Sequence, residues 1–232
     1  MKEFDNSTIT EEREKTYRFL AGICLKSPSD SLIDMIKDKS ILLLFPEDTD
    51  CESYNEISRF INETAEIKNI SDQIAAEHAS LFSLPSNHLP HEAVYRDKEK
   101  RLGGKVTMDV SQFYEKAGAS ILNSCIEMPD HLGMELEFMG FLCKMERELR
   151  ENADYPSLDN CIYLQKTFID EHLIKWVYPC CEKIVERSTY GFYKAIAHMI
   201  TEFIKSEDDY LKELYLKIEP HTEPKVQDML TS

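Results

Sequence analysis

The stretch from Asp130 to Arg150 constrains the fold more than any other part of the chain. At 100° per residue, Leu132, Leu136, Met139 and Cys143 fall on one side of a helix and Met134, Phe138, Phe141 and Met145 on another. A single polar stripe remains, made of Asp130, Glu137, Lys144, Arg147 and Glu148. A helix that is apolar on two sides is stable only between neighbours, so the rest of the chain must supply helices to cover it. It has little else to offer. Only 7 of 232 residues are Gly, and runs alternating β-branched with polar residues are nearly absent. The expectation is an all-α, single-domain multi-helix bundle spanning residues 1–219, with 220–232 as a flexible tail after Pro220 and Pro224.

Along the chain, Thr8 with Glu11 three residues on reads as a capping box, opening a helix that carries Tyr17, Leu20, Ala21 and Cys24 on one face. Ser27-Pro28-Ser29-Asp30 ends it and starts another through Leu32, Ile33 and Ile36. Ile41–Phe45, stopped by Pro46, has the look of a strand without a partner. Helices are expected over Tyr54–Ile67, Asp72–Phe82, Asp109–Leu122, Leu158–Arg187 and Tyr190–Lys205. Pro179 should kink or end the helix that holds it. From Leu84 to Lys105 the texture changes to prolines, histidines, the charge cluster Arg96–Arg101 and Gly103-Gly104. A connection of that length in a compact domain is functional or mobile, and it is long enough to exchange between protomers, leaving a monomer or a domain-swapped dimer open.

Lys and Arg number 27 against 43 Asp and Glu, a net charge of −16, which disfavours nucleic acid and favours a basic partner or simple solubility. The polar Met1–Thr10 segment has no apolar core of a secretory signal, and no run approaches the ~20 apolar residues of a membrane span. Seven cysteines at scattered positions, without a CxxC pair, read as reduced thiols of a cytoplasmic protein. Enzyme chemistry has little support, with a metal-dependent enzyme as the minor alternative. His131 and Glu135 are four apart but HExxH is absent, and His78, His88 and His91 around the long connection lack ligand spacing. No Glu-x-x-His pairs, P-loop, GxGxxG or nucleophile elbow occurs, so neither a metal nor a cofactor is implied.

Glu135 stands out because it projects into an apolar arc beside Met139 and Leu142, with His131 one turn earlier. A buried carboxylate requires a partner, either His131 or a group on a neighbouring helix. It is then a satisfied core group or a docking charge for an incoming arginine. Pro129 followed by Asp130 fits a sharp helix start with the Asp130 carboxylate as cap.

Four segments in order resemble the TorD/DmsD/NarJ superfamily of redox-enzyme maturation chaperones. Met128-Pro129-Asp130-His131-Leu132 with Glu135-Leu136-Glu137-Phe138 is similar to its Glu-Pro-Asp-His-Leu…Glu-Leu-Glu-Phe signature. Phe168…His172-Leu173…Trp176 resembles its Phe…His-Leu…Trp segment, His91-Glu92-Ala93-Val94-Tyr95 its Glu-Ser-Val-Tyr loop motif, and Tyr114…Gly118 its Tyr…Gly pair. Met128 replaces the usual acid, and Ala93 the usual serine. The resemblance implies an all-α cytoplasmic chaperone without catalysis. Its implied partner is the twin-arginine signal peptide of a molybdenum-cofactor oxidoreductase, held until folding and cofactor insertion finish. In the NarJ-like alternative the partner is the terminus of a non-exported subunit. The residues it places at the peptide-binding surface are Glu92, Tyr95, Asp130, His131, Leu132, Glu135, His172 and Trp176, beside a cleft near the Pro129 turn lined by Met and aromatic side chains.

Overall fold

The computed structural model describes residues 6–45, 50–64, 67–83, 90–120 and 127–217. Among them, ten α-helices and no strand occur: α1 (Asn6–Leu25), α2 (Asp30–Lys37), α3 (Glu52–Glu63), α4 (Ile70–His78), α5 (Glu92–Arg96), α6 (Lys105–Lys116), α7 (Leu132–Glu151), α8 (Tyr155–Glu171), α9 (Val177–Arg187) and α10 (Gly191–Lys217). The all-α bundle expected from the two-sided helix is the observed architecture. Helix α7 is its axis. Leu132, Leu136, Met139, Leu142 and Cys143 are fully buried, with α1 along one flank and α8 along the other. Helix α10 packs on α3, α8 and α9 and closes the far side.

The approach of α1 to α7 depends on two glycines seven residues apart. A Cβ at Gly133 would lie 2.5 Å from Leu25 Cγ and 3.1 Å from Cys24 Cβ, and one at Gly140 would lie 3.2 Å from Arg18 Cγ. Both side chains are absent where the helices touch, so the pair packs backbone to side chain. Across the same interface Arg13 of α1, 5% exposed, donates to Glu207 on α10, Glu146 on α7 and Gln165 on α8. Glu146 also accepts from Arg150, Gln165 and Thr10. Burial alone would push the Glu146 carboxyl up, yet Arg13, Gln165 and Arg150 together hold it below the ordinary value. One guanidinium thus ties four helices together.

Several expectations are corrected locally. Helix α1 is already running at Asn6, so Thr8 lies inside it, and Glu11 pairs with Lys15 instead of reaching back. Ser40–Leu44 is a 3₁₀ turn, which suits a short apolar run with no neighbouring strand to take its backbone groups. The pattern from Leu158 to Arg187 is two helices, broken where His172 leaves helical geometry and Leu173–Lys175 form a 3₁₀ turn. Pro179 neither kinks nor ends a helix. It is the third residue of α9, where its missing N–H has no intrahelical partner to lose. Helix α10 extends twelve residues past Lys205, to Lys217. Helix α6 starts four residues before Asp109 and stops at Lys116. There Gly118, at φ +75°, lets the Ala119 N–H return to the Tyr114 carbonyl, a glycine-dependent helix stop. The expected tail 220–232, His88 and Leu84–Asn87 lie outside the described residues.

Candidate functional site

The long connection is not a plain loop. Its second half is fastened to the start of α7 by an antiparallel bridge between His91 and His131, in which Glu92 N–H donates to Asp130 O at 2.8 Å and Leu132 N–H to Pro90 O at 2.7 Å. The chain then turns into the five-residue α5. Asp130 reinforces the junction by accepting the Ala93 N–H through Oδ2 at 3.1 Å. It therefore caps α5, and the cap of α7 is His131, whose Nδ1 accepts the Gly133 N–H at 3.0 Å. The expectation that Asp130 caps its own helix is corrected: it is fully buried and faces α5.

Around this bridge the four motif segments meet. Glu92, fully buried, accepts from His172 Nδ1 at 3.0 Å and from the guanidinium of Arg96. Glu135, also fully buried, accepts the Trp176 indole N–H at 3.0 Å through Oε2. It pairs with Trp176, the residue just before α9, and not with His131. Tyr114 donates to Pro129 O at 2.8 Å, and Phe113, Tyr114, Phe138, Phe168 and His172 form one aromatic stack, with the Tyr114 and Phe138 centroids 4.3 Å apart. Tyr95 lies against Trp176 at 5.5 Å.

The electrostatics are those of an acidic interior. Burial, then the charge of Glu92, push the Glu135 carboxyl well up, against the opposing bond from Trp176. A neutral Glu135 can donate to Glu92, which accounts for its Oε1, an oxygen that no N–H or O–H of the protein reaches. Asp130 Oδ1 is likewise without a partner. Burial and the neighbouring His91 push the His131 ring down to about 3, so it stays the neutral acceptor that its cap requires. His91 is also lowered by burial, with Asp130 opposing.

The eight residues expected at a binding surface are thus brought together, but seven of them are enclosed: Glu92, Asp130, His131, Leu132, Glu135, His172 and Trp176 are each at most 5% exposed. Only Tyr95 is half-buried. The expected cleft beside Pro129 is filled by the aromatic stack, because Tyr114 and Phe138 pack into the turn that the sequence places next to them. Arg96, at the rim with a side chain 35% exposed, is the cation that reaches this interior, and the sequence reading did not single it out. Its spacing of four from Glu92 was the available signal. A cavity of about 340 Å³ opens elsewhere, between α9 and α10, lined by Tyr178, Cys181, Val185, Ala197 and Thr201 with Glu182, Glu186 and His198. Among the described residues no group of His, Cys, Asp and Glu is arranged to hold a metal ion, and no helix is long and apolar enough to cross a membrane. Burial pushes the thiols of Cys24, Cys143, Cys161, Cys180 and Cys181 up, Cys161 and Cys181 to about 12, which makes them poor nucleophiles at neutral pH.

Residues 47–182 match the family described as nitrate reductase delta subunit. The chain is similar to proteins named chaperone protein TorD. That of Vibrio cholerae serotype O1 is 25% identical over 213 residues, covering 89% of this chain and 95% of the relative. That of Aliivibrio salmonicida is 28% identical over 213 residues, covering 88% and 97%. That of Vibrio vulnificus (strain YJ016) is 24% identical over 209 residues, covering 88% and 96%.

Proposed function

From the premise that this chain belongs to the nitrate reductase delta subunit family, the TorD/NarJ type of chaperone, we propose that it is a non-catalytic maturation chaperone for a molybdenum-cofactor oxidoreductase. In this reading it acts in the cytoplasm and holds the client's twin-arginine signal segment until folding and cofactor insertion are complete.

The observation that carries the reading is the convergence of all four motif segments on one acidic interior under α5. Three buried carboxyl groups, Glu92, Asp130 and Glu135, share it, and Asp130 Oδ1 lacks a partner. A guest with adjacent arginines is the complement of such a site, since each charge-assisted bond to a desolvated carboxylate is worth more than its surface counterpart. The enclosure is compatible with binding if α5, five residues long and held by the His91–His131 bridge, lifts to admit the guest. Glu92, Tyr95, Asp130, His131, Leu132, Glu135, His172 and Trp176 then form the walls of the opened site.

The test is calorimetric titration with the signal peptide of the molybdoenzyme encoded nearest to this gene. The reading expects saturable binding that weakens with salt and falls at least tenfold when both arginines become alanine. No binding, or binding indifferent to the arginines, would reject it. In a second reading, to which the family's description as nitrate reductase delta subunit lends support, the chain is a NarJ-like assembly factor and the client is the terminus of a non-exported molybdoenzyme subunit. A helix-forming peptide without the arginine pair that binds more tightly than the signal peptide would select it.

A further inference from the structure

The mouth of the acidic interior already holds a guanidinium. Arg96 Nη1 donates both to the Glu92 carboxylate and, at 2.6 Å, to the carbonyl of Glu171. The two acceptors are unlike each other and come from different elements. Glu92 is fully buried and opens α5, whereas Glu171 is the last residue of α8, so its carbonyl is one of the terminal four that find no donor within the helix. The negative end of the α8 dipole adds to the attraction for a cation. His172 closes the inner side of the Glu92 carboxylate, leaving the outer side to Arg96.

The plug itself is weakly anchored. Arg96 is the final residue of a five-residue helix, the next residue is already extended, and its side chain is 35% exposed while its partner carboxylate is wholly enclosed. Beyond it, Asp130 Oδ1 is fully buried and lacks a hydrogen-bond partner, so the interior has acceptor capacity that one arginine does not use.

We infer that Glu92 and the Glu171 carbonyl form a guanidinium seat that Arg96 occupies in cis and gives up to an arginine of the client. The inference rests on the reading of the client as an arginine-bearing segment, and it adds a device that reading does not contain. The free protein shields its own buried carboxylate, and only a guest that replaces the guanidinium opens α5. A lysine makes a poorer substitute, because its ammonium is more strongly hydrated than a guanidinium and costs more to desolvate at the buried Glu92 carboxylate. Shielding also lowers the apparent affinity by the fraction of molecules in which Arg96 has left, a penalty that vanishes when Arg96 is removed.

Two measurements on the full chain test this separately. In the first, methylguanidinium is titrated into R96A and thermal unfolding is followed. The seat predicts saturable stabilisation of R96A, little effect on the wild type or on R96A/E92Q, and a weaker effect of methylammonium. Equal response of all three proteins, or none, overturns the seat. In the second, the arginine-pair signal peptide is titrated into wild type and R96A. The inference expects about tenfold or more tighter binding to R96A. Equal affinity overturns the displacement while leaving the chaperone reading in place, and absence of binding to either protein overturns the reading itself. Should R96A fail to fold, R96K replaces it, with an affinity gain expected between those of the wild type and full removal; a loss of affinity in R96K contradicts the inference.

Discussion

Replacing Arg13 with methionine is expected to be among the most damaging single changes in this protein. The side chain is 5% exposed and makes hydrogen bonds to three helices: Nε to both Glu207 oxygens at 2.8 and 3.0 Å, Nη1 to Glu146 at 2.9 Å, and Nη2 to Gln165 at 2.6 Å and Glu207 at 2.8 Å. Methionine fills much of the volume, so the loss is mainly electrostatic. It does not fall evenly. Glu146 keeps two bonds from Arg150 and one each from Gln165 and Thr10, whereas Glu207, 3% exposed, loses the guanidinium that makes three hydrogen bonds to its carboxylate. Breaking a buried pair in this way costs about 3–5 kcal/mol, because one charge is left desolvated and unpaired. For a chain of this size each kcal/mol lowers the melting temperature by about 2–4 °C, so R13M should melt roughly 6–20 °C below the wild type. Far-UV circular dichroism during heating and in urea measures both quantities, with an unchanged urea slope showing that the unfolded reference is the same. The second substitution E207Q in the R13M background removes the stranded charge and should recover a large part of the loss. A loss below about 1 kcal/mol for R13M, or no recovery in the double variant, refutes the reasoning that the guanidinium neutralises a buried carboxylate.

Gly133→Ala places a methyl 2.5 Å from Leu25 Cγ and should destabilise by about 1–3 kcal/mol through forced displacement of α1, measurable as a lowered urea midpoint; a neutral result means that the helices have slack there. The His131 ring titrates near 3 when folded against an ordinary value of 6.5, so between those values the unfolded chain binds the extra proton and stability falls as pH falls. From pH 6.5 to 5 this ring alone removes about 2 kcal/mol, and H131N, which keeps a capping side chain, should escape that part of the acid loss; identical pH profiles would contradict it. Glu135 has the opposite sign, since a raised carboxyl contributes stability below its unfolded value and loses it as pH rises. E135Q should therefore gain on the wild type progressively toward pH 8, and a constant difference across pH would show that Glu135 is not held protonated.

The bundle was legible because its signal is redundant. Helix α7 cannot be apolar on two sides without neighbours, and the faces of α1 and α2 announce them. Arg13 was legible too, though unread: it lies four residues before Tyr17 and eleven before Cys24, on the buried face of α1. The burial of Glu92 was not legible. Its segment carries the composition of a solvated loop, and what encloses it is a bridge to His131 forty residues away and a histidine eighty residues away. The same long-range contacts explain why Asp130 looks like the cap of its own helix when His131 fills that role. The break at 172–176 hides inside an unbroken apolar pattern, because Leu173, Trp176 and Val177 stay buried while the backbone changes course. Motif resemblance named residues that the fold brings together, without revealing that they sit beneath the surface.

The point at which a client segment enters decides the proposed function. Hydrogen exchange of the full chain with and without the arginine-pair peptide reads this directly, because the amides of Glu92, Ala93 and Leu132 are committed to the α5–α7 junction and those of residues 181–186 and 197–201 report the α9–α10 cavity. Entry into the acidic interior predicts altered protection at residues 91–96 and 130–132 on binding. A change confined to α9 and α10, with the junction untouched, would place the client in the cavity and contradict the acidic interior as its seat.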